Sequence, residues 1–331
     1  MKLVTYELKR SKAKELKTGV FLDGDFILDL QAAAAFYLKE KEKEKEKKAY
    51  DLAAQLMTGD IKKILEKGRA AMSLARSTYK NFLKWQRDQK KPLRGWRGEP
   101  LTISRKEINW KAPILKPGKI IAMGLNFRDH AEENKMPIPE IPVGFLKASS
   151  AVIGPYDLIP YPSSISQLDY EIELCLVIGK KGKNIPREKA YEYVAGYMIM
   201  NDLSARDIQL KEMEKKLLLL GKSFDGFAPI GPYLVTIDEI PDVHNLAMEL
   251  WVNDEPEPRQ KSSTEQMIFK VPELIEYWSQ MTLEPGDIIT SGTPGGVAFF
   301  RKPDPNKFFL KKGDVVKAKI SGLGFLQNKI V

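Results

Sequence analysis

Asp169-Tyr170-Glu171-Ile172-Glu173-Leu174-Cys175-Leu176-Val177-Ile178 is the stretch on which the reading of this chain turns. It alternates with the period of a β-strand: Tyr170, Ile172, Leu174 and Leu176 point one way, Asp169, Glu171 and Glu173 the other. The first face is ordinary core. The second sets carboxylates side by side against a segment too hydrophobic for a surface, and burying them is costly unless something compensates. Gly196-Tyr197-Met198-Ile199-Met200-Asn201-Asp202 is a second strand-like run that also ends in an acid. If the two strands are adjacent, Glu171, Glu173 and Asp202 converge, and a divalent cation is the fitting compensation. Oxygen ligands without a neighbouring His or Cys pair select a hard ion, Mg²⁺, Mn²⁺ or Ca²⁺, over zinc. The competing reading is an edge strand whose acids face water; it suits an isolated Glu-x-Glu, and Asp202 argues against it.

Composition sets the bounds around that stretch. At 331 residues the chain has room for one large domain and a smaller one, and 43% hydrophobic with 29% charged residues is usual for a soluble globular protein. No apolar run approaches the ~20 residues needed to span a bilayer, so no membrane partner is expected. Met1-Lys2-Leu3-Val4-Thr5-Tyr6-Glu7 lacks the apolar core of a secretory signal, and Cys175, the only cysteine, excludes an intrachain disulfide. A cytoplasmic location is the expectation.

The net charge of +9 is concentrated between Lys80 and Lys119, where twelve Lys or Arg face only Asp88, Glu99 and Glu107. Trp85, Trp96 and Trp110 are interleaved with them, and basic plus aromatic is what a nucleic-acid surface requires. No recognised nucleic-acid-binding motif accompanies them, while Pro92, Gly95, Gly98, Pro100, Pro113 and Pro117 mark a connecting stretch. A solvated linker that attracts small anions is the preferred reading, and nucleic acid is not the expected partner.

Upstream, Val20-Phe21-Leu22 and Phe26-Ile27-Leu28 flank Asp23-Gly24 as a hairpin. Helical periodicity follows from Gln31 to about Gln86, with a break near Thr58-Gly59-Asp60. The alternating Lys/Glu run from Lys39 to Lys48 puts like charges at i,i+4 and reads as a solvated face or frayed connection. Beyond Lys119, short apolar runs between Gly and Pro turns indicate a mainly β domain. Leu283-Glu284-Pro285-Gly286-Asp287 and Leu310-Lys311-Lys312-Gly313-Asp314 share one turn-then-strand pattern. The expected organisation is a 1–95 N-terminal α+β domain, a 96–117 basic linker and a 118–331 catalytic domain.

Gly124-Leu125-Asn126-Phe127-Arg128-Asp129-His130-Ala131-Glu132-Glu133-Asn134 carries one of only two histidines. Three residues apart on a helix, His130 and Glu133 share a face, and an imidazole oriented by a carboxylate is a general base. Pro137, Pro139 and Pro142 keep the element short, as a lid would be. A surface helix with an incidental His–Glu pair is the bland alternative. His244 has no such company and reads as structural or exposed.

Taken in order, these segments, with Phe145-Leu146-Lys147, Asn201-Asp202-Leu203-Ser204-Ala205-Arg206-Asp207, Lys222-Ser223-Phe224-Asp225 and Ser291-Gly292-Thr293-Pro294-Gly295-Gly296-Val297, resemble the fumarylacetoacetate hydrolase family over about residues 118–331. The resemblance implies an α+β, mainly β fold: a mixed β-sandwich roll, usually a homodimer, beside a smaller N-terminal domain. It implies Mg²⁺ or Mn²⁺ held at Glu171, Glu173 and Asp202. It carries over His130 and Glu133 as a catalytic lid dyad with Lys222 beside them, and Lys147, Arg206, Gln209 and Thr293 as substrate-pocket residues. Phe127 where a tyrosine is common, Leu217 to Leu220 where a tryptophan often stands, and Asn253-Asp254 for Asn-Gly depart from the family pattern.

The chemistry so implied is metal-dependent turnover of a small anionic 2-oxo acid, with hydrolysis of a C–C bond in an acylpyruvate or fumarylacetoacetate-like substrate first. Decarboxylation, isomerisation of a hydroxymuconate-type diacid and dehydration of a 2-keto-3-deoxy sugar acid use related enolates. Outside enzymes, the alternative is a basic nucleic-acid-binding protein on an inactive scaffold. Lys147, Arg206 and Lys222 offset the negative charge of the acid triad and make room for an acidic substrate.

Overall fold

The computed structural model describes residues 1–22, 24–87, 93–133 and 135–331, which divide into two compact units. The first comprises Met1–Leu115 with Tyr233–Thr236, the second Lys116–Pro232 with Ile237–Val331. The architecture is α+β and mainly β, as the sequence indicates.

In the first unit, β1 (Lys2–Leu8), β2 (Leu16–Leu22) and β3 (Phe26–Asp29) form an antiparallel meander. The expected hairpin pairs Val20 with Leu28 and Leu22 with Phe26. Of its turn, Asp23 lies outside the described residues, and Gly24 has a φ of +81°. Four helices follow: α1 (Leu30–Glu40), α2 (Glu46–Leu56), α3 (Ile61–Glu66) and α4 (Gly68–Arg87). Asp29 starts α1 by accepting from the Ala32 amide at 3.0 Å, and Asp60 starts α3 through the Lys62 amide at 2.9 Å. The Thr58-Gly59-Asp60 break is therefore a cap. The Lys/Glu run breaks too: residues 41–45 lie between α1 and α2, where like charges at i,i+4 give a helix little support.

The linker reading of 96–117 needs correction. β4 (Thr102–Ser104) pairs with β3, and β5 (Ile108–Lys111) pairs with β1. Ile103 and Ile108 are buried, so two short strands sit among the Gly and Pro signals that suggested a crossing loop. The tryptophans are occupied in packing. Trp85 meets Phe36 edge-on at 5.1 Å, Trp96 stacks on the same ring at 6.2 Å under the Lys39 ammonium, and Trp110 lies 5.9 Å from Phe21. Residues 88–92 of the basic segment lie outside the described set. With these rings committed to the fold, binding to random single-stranded DNA or RNA is expected to be gone by about 200 mM salt. Fluorescence anisotropy checks this, and sub-micromolar affinity at that salt would reverse the reading.

In the second unit the strands are β6 (Ile120–Met123), β7 (Gly144–Lys147), β8 (Val152–Ile153), β9 (Leu158–Ile159), β10 (Leu168–Asp169), β11 (Ile172–Ile178), β12 (Val194–Asn201), β13 (Ser204–Ala205), β14 (Ala228–Thr236), β15 (Ala247–Val252), β16 (Gln260–Ser263), β17 (Ile288–Thr290), β18 (Val315–Ile320) and β19 (Gly324–Ile330). The end of β14, Tyr233–Thr236, counts with the first unit. One sheet runs β14-β12-β11-β17-β6-β7; a second runs β16-β15-β18-β19-β9. The two face each other where β11 and β12 meet β15, β18 and β19. Every residue of β11 and β12 is buried, which explains their near-continuous apolar runs. The helices here are α5 (Arg128–Glu133), α6 (Arg206–Glu214), α7 (Leu220–Ser223) and α8 (Val271–Trp278).

The two Gly-Asp turns share one construction. Asp287 accepts from the Glu284 amide and Asp314 from the Lys311 amide, each at 2.8 Å, past glycines with φ of +84° and +98°. Asp287 also accepts from the Lys119 amide at 2.9 Å and so ties the entry of β6 to β17. His244 is structural: its Nε2 accepts from the Val271 amide at 3.1 Å, at the start of α8.

Candidate active site

Antiparallel pairing of β11 with β12 sets Ile172 opposite Asn201 and Glu173 opposite Met200. Just beyond, the Asp202 amide donates to the Glu171 carbonyl at 2.8 Å, and the Glu171 amide donates to Asn201 Oδ1 at 2.9 Å. This register brings a carboxylate oxygen from each of Glu171, Glu173 and Asp202 within 4.8 Å of the others. The edge-strand alternative fails, because β11 lies inside its sheet and the three acids are 0–6% exposed.

The acids do not share one environment. Glu171 accepts from Lys222 Nζ at 2.7 Å and Arg206 Nη2 at 2.6 Å; Asp202 accepts from Lys147 Nζ at 2.5 Å and Lys222 Nζ at 3.0 Å. Burial acts to raise the Glu171 pKa, but Lys222 and then Arg206 outweigh it and hold the group at about 2. Glu173 goes the other way: burial first, then the charges of Asp202 and Glu171, push it well above the usual carboxylate range. Among the described residues neither of its carboxylate oxygens meets a partner in hydrogen-bond geometry, although the nearby Thr290 side chain opposes the shift.

A buried acid with two unclaimed oxygens, beside two more acids, is the pattern a hard dication would complete. The residues present fit such an ion. Asp169, Glu171, Glu173 and Asp202 are four buried acids against the buried Lys147, Arg206 and Lys222, a formal balance of −1 that a dication turns to +1. That sign suits an anionic substrate.

A cavity of about 810 Å³ opens beside this cluster and is lined by His130, Glu171, Arg206, Gln209, Lys222 and Thr293 together with apolar side chains. His130 stands on α5 with its side chain 14% exposed and its ring 5.7 Å from that of Phe300. Burial is the main cause of its lowered pKa; Glu171 opposes the shift and Arg206 adds to it. The imidazole is therefore neutral at neutral pH. Glu133 Oε2 lies 4.0 Å from His130 Nδ1, beyond hydrogen-bond length, and accepts from the Gly296 amide at 2.9 Å. The expected orienting bond is thus absent here, and Glu133 joins α5 to the 295–296 turn.

Of two other expected pocket residues, Lys147 stands off the cavity and Thr293 on its wall. Lys147 sits behind Asp202, with its ammonium also on the Lys222 carbonyl and its side chain 0% exposed, so it holds the Asp202 carboxylate in place and does not line the cavity. Thr293 donates to the Ile172 carbonyl at 3.0 Å and accepts from Gln260 Nε2 at 2.8 Å, which commits its hydroxyl to the scaffold. Gln209 accepts from Arg206 Nη1 at 2.9 Å, an arrangement that leaves its amide nitrogen as the available donor.

Sequence reasoning gave no role to four supporting residues. Asp169 accepts from Arg206 Nε at 2.8 Å and from the Ala298 and Phe299 amides at 2.8 and 3.0 Å. Asn201 positions Glu171, and Gln260 Oε1 accepts from the Ile172 amide at 2.9 Å. Asn126 Nδ2 donates to the Ser291 carbonyl at 2.8 Å. Asp169 carried a signal, since it shares the alternation of Glu171 and Glu173.

Gly296 has a φ of +95°, and a Cβ there would run into the Arg259 carbonyl. Gly296→Ala is expected to cost about 2 kcal/mol or more, from left-handed strain plus a backbone clash. Denaturant unfolding measures the loss, and activity should fall with it because the turn anchors Glu133.

Residues 119–331 match the family described as fumarylacetoacetate (FAA) hydrolase C-terminal. The mitochondrial oxaloacetate tautomerase Fahd2a of Rattus norvegicus is 44% identical over 270 residues, which is 81% of this chain and 79% of that protein. The solved fumarylacetoacetate hydrolase of Exiguobacterium antarcticum superposes with a TM-score of 0.73 at 31% identity, covering 100% of this chain and 99% of that one. Maleylpyruvate hydrolase from Sphingobium sp. SYK-6, solved with manganese(II) and pyruvate, gives a TM-score of 0.70 at 26% identity, over 100% and 99% of the two chains. The mitochondrial name of the rat relative overturns the cytoplasmic expectation, which rested on the composition of the first residues, the lack of a long apolar run and the single cysteine. Family model, relatives and superposed structures agree over the segment that carries the acid cluster: the chain belongs to the fumarylacetoacetate hydrolase family.

Proposed function

We propose that this enzyme interconverts the keto and enol forms of a 2-oxo acid, oxaloacetate first. The observation that carries the proposal is His130, a neutral imidazole on the wall of the cavity that the acid cluster faces. Tautomerisation needs a proton carrier and a polarised carbonyl and no attacking water. The imidazole takes a proton from the carbon next to the 2-oxo group, the freed pair becomes the C=C bond while the carbonyl π pair moves to oxygen, and the imidazolium returns its proton to that oxygen; no σ bond other than those to hydrogen breaks. Held by Glu171, Glu173 and Asp202, a divalent cation, Mg²⁺ or Mn²⁺, would act as a Lewis acid on the 2-oxo group and make that carbon more acidic. Lys222 and Arg206 keep Glu171 ionised, and Gln209 offers its amide nitrogen to the substrate. The 44% identity to an oxaloacetate tautomerase supports the choice of substrate.

Acylpyruvate hydrolysis is the second reading, and one observation favours it: Leu125, Val143, Phe145 and Phe299 give the cavity an apolar side suited to an acyl arm. Hydrolysis also needs a base oriented toward water, and Glu133 is bonded to Gly296 instead. The decay of the oxaloacetate enol absorbance, followed with Mn²⁺ against a metal-only control, tests the first reading. Pyruvate release from acetylpyruvate tests the second. Acceleration of acetylpyruvate cleavage without acceleration of enol decay would replace the first by the second.

A further inference from the structure

We infer that Lys216 selects dicarboxylic 2-oxo acids by pairing with the substrate's second carboxylate, an inference that rests on the 2-oxo acid chemistry proposed above. Three cationic side chains line the cavity, Arg206, Lys216 and Lys222. Two of them are already committed. Arg206 pairs with Asp169 and Glu171 at 2.8 and 2.6 Å, and Lys222 with Glu171 and Asp202 at 2.7 and 3.0 Å. Among the described residues Lys216 has no carboxylate within ion-pair distance, although it lines the same space. Its neighbours on that wall are Leu210, Met213, Leu217 and Leu218. Leu210, Met213 and Leu217 are partly exposed on that wall, so a substrate carboxylate entering there exchanges only part of its water for apolar contact, and the exposed Lys216 offers the charge to pair with it.

The backbone fixes the place of this lysine, although a left-handed lysine is not peculiar to it: Lys14, Lys43 and Lys135 also have positive φ. Lys216 closes α6: the Leu217 amide donates to the Glu212 carbonyl at 3.0 Å and the Lys216 amide to the Met213 carbonyl at 2.9 Å. This is the Schellman arrangement, whose left-handed position is usually glycine, and Lys216 occupies it with a φ of +59°. A lysine stays in that conformation when its surroundings over-determine it. Here the Glu212 carboxylate accepts from the Leu219, Leu220 and Gly221 amides at 3.1, 2.7 and 3.1 Å, which fixes the loop that follows. The Cα of Lys216 is thus held at the cavity wall by bonds on both sides. A substrate with an apolar arm would give this lysine no role.

The test uses the full-length enzyme with Mn²⁺ and the variants K216G and K216R. Glycine takes the left-handed conformation freely, so K216G removes the charge and keeps the loop. Kinetics are read with oxaloacetate and with monocarboxylic 2-oxobutanoate, by exchange of the C3 protons, and Kd for both acids is read by calorimetry. Losing one charge-assisted pair is expected to raise KM and Kd for oxaloacetate about tenfold, with kcat within about twofold and 2-oxobutanoate unaffected. K216R is expected to stay near the wild type. Equal losses on both acids, or no loss on oxaloacetate, overturn the assignment. Wild-type enzyme that binds oxaloacetate through Lys216 without tautomerising it defeats the proposed reaction and leaves the selectivity standing. Wild-type enzyme that does not bind oxaloacetate at all overturns both.

Discussion

Glu173→Gln is expected to abolish tight Mn²⁺ binding and to lower kcat/KM by roughly 10³-fold or more, since a Lewis acid supplies several kcal/mol and each 1.36 kcal/mol is tenfold. The same change is expected to stabilise the chelated protein. In the folded chain the Glu173 pKa is raised, while the unfolded chain titrates near the usual 4.5. As pH rises past 4.5 the unfolded chain gives up this proton and the folded chain keeps it, so metal-free stability falls with increasing pH. Glutamine removes that loss. Added cation reverses the order, because only the wild type gains binding free energy from it.

Glu171→Gln supplies the contrast. Its folded pKa is lowered to about 2, so its contribution is fully present above the unfolded value and is lost as pH falls through the folded one. Removing it leaves Lys222 and Arg206 with a weakened partner, and a loss of about 3 kcal/mol is expected even without metal. Calorimetry with Mn²⁺ and thermal unfolding after exhaustive chelation separate the two variants. Unchanged Mn²⁺ affinity in Glu173→Gln would falsify the metal assignment.

The acid cluster was legible because one periodicity carried it. Two acids two residues apart on a strand, and a third at the end of the next apolar run, need only antiparallel pairing to converge, and pairing of sequential strands is the common outcome. The partners of the other polar groups were not legible, since they come from distant loops. Glu133 bonds Gly296, 163 positions away, and no local spacing announces it. Lys147 reads as a pocket cation until β7 is placed, after which its ammonium lies behind Asp202. The 96–117 stretch misled for another reason. Its strands have three and four residues, too short for alternation to outweigh the surrounding Pro and Gly. Asp287 and Asp314 were easier, because each turn makes its bonds within three residues.

His130→Ala is the second large effect, and it separates proton transfer from chelation. Loss of a general base lowers rate by about 10²–10⁴-fold, and a fall of that size in oxaloacetate tautomerisation is expected. Of the proposed metal ligands, Glu171 just precedes β11, Glu173 lies on it and Asp202 follows β12, none of them on α5, so inhibition by oxalate is expected to stay within about threefold of the wild type, the change allowed by altered packing against Phe300. Glu133→Gln is expected to do less: its amide oxygen can still accept from Gly296, and at 4.0 Å the carboxylate acts on His130 through charge rather than through a hydrogen bond. The pH profile carries a sign. Because burial lowers the His130 pKa below its ordinary 6.5, the base form persists to lower pH, and the acid limb of kcat/KM is expected below 6.5. Glu133→Gln removes a charge that favours the imidazolium and should move that limb further down. An acid limb above 6.5, or wild-type turnover by His130→Ala, would show that another group carries the proton.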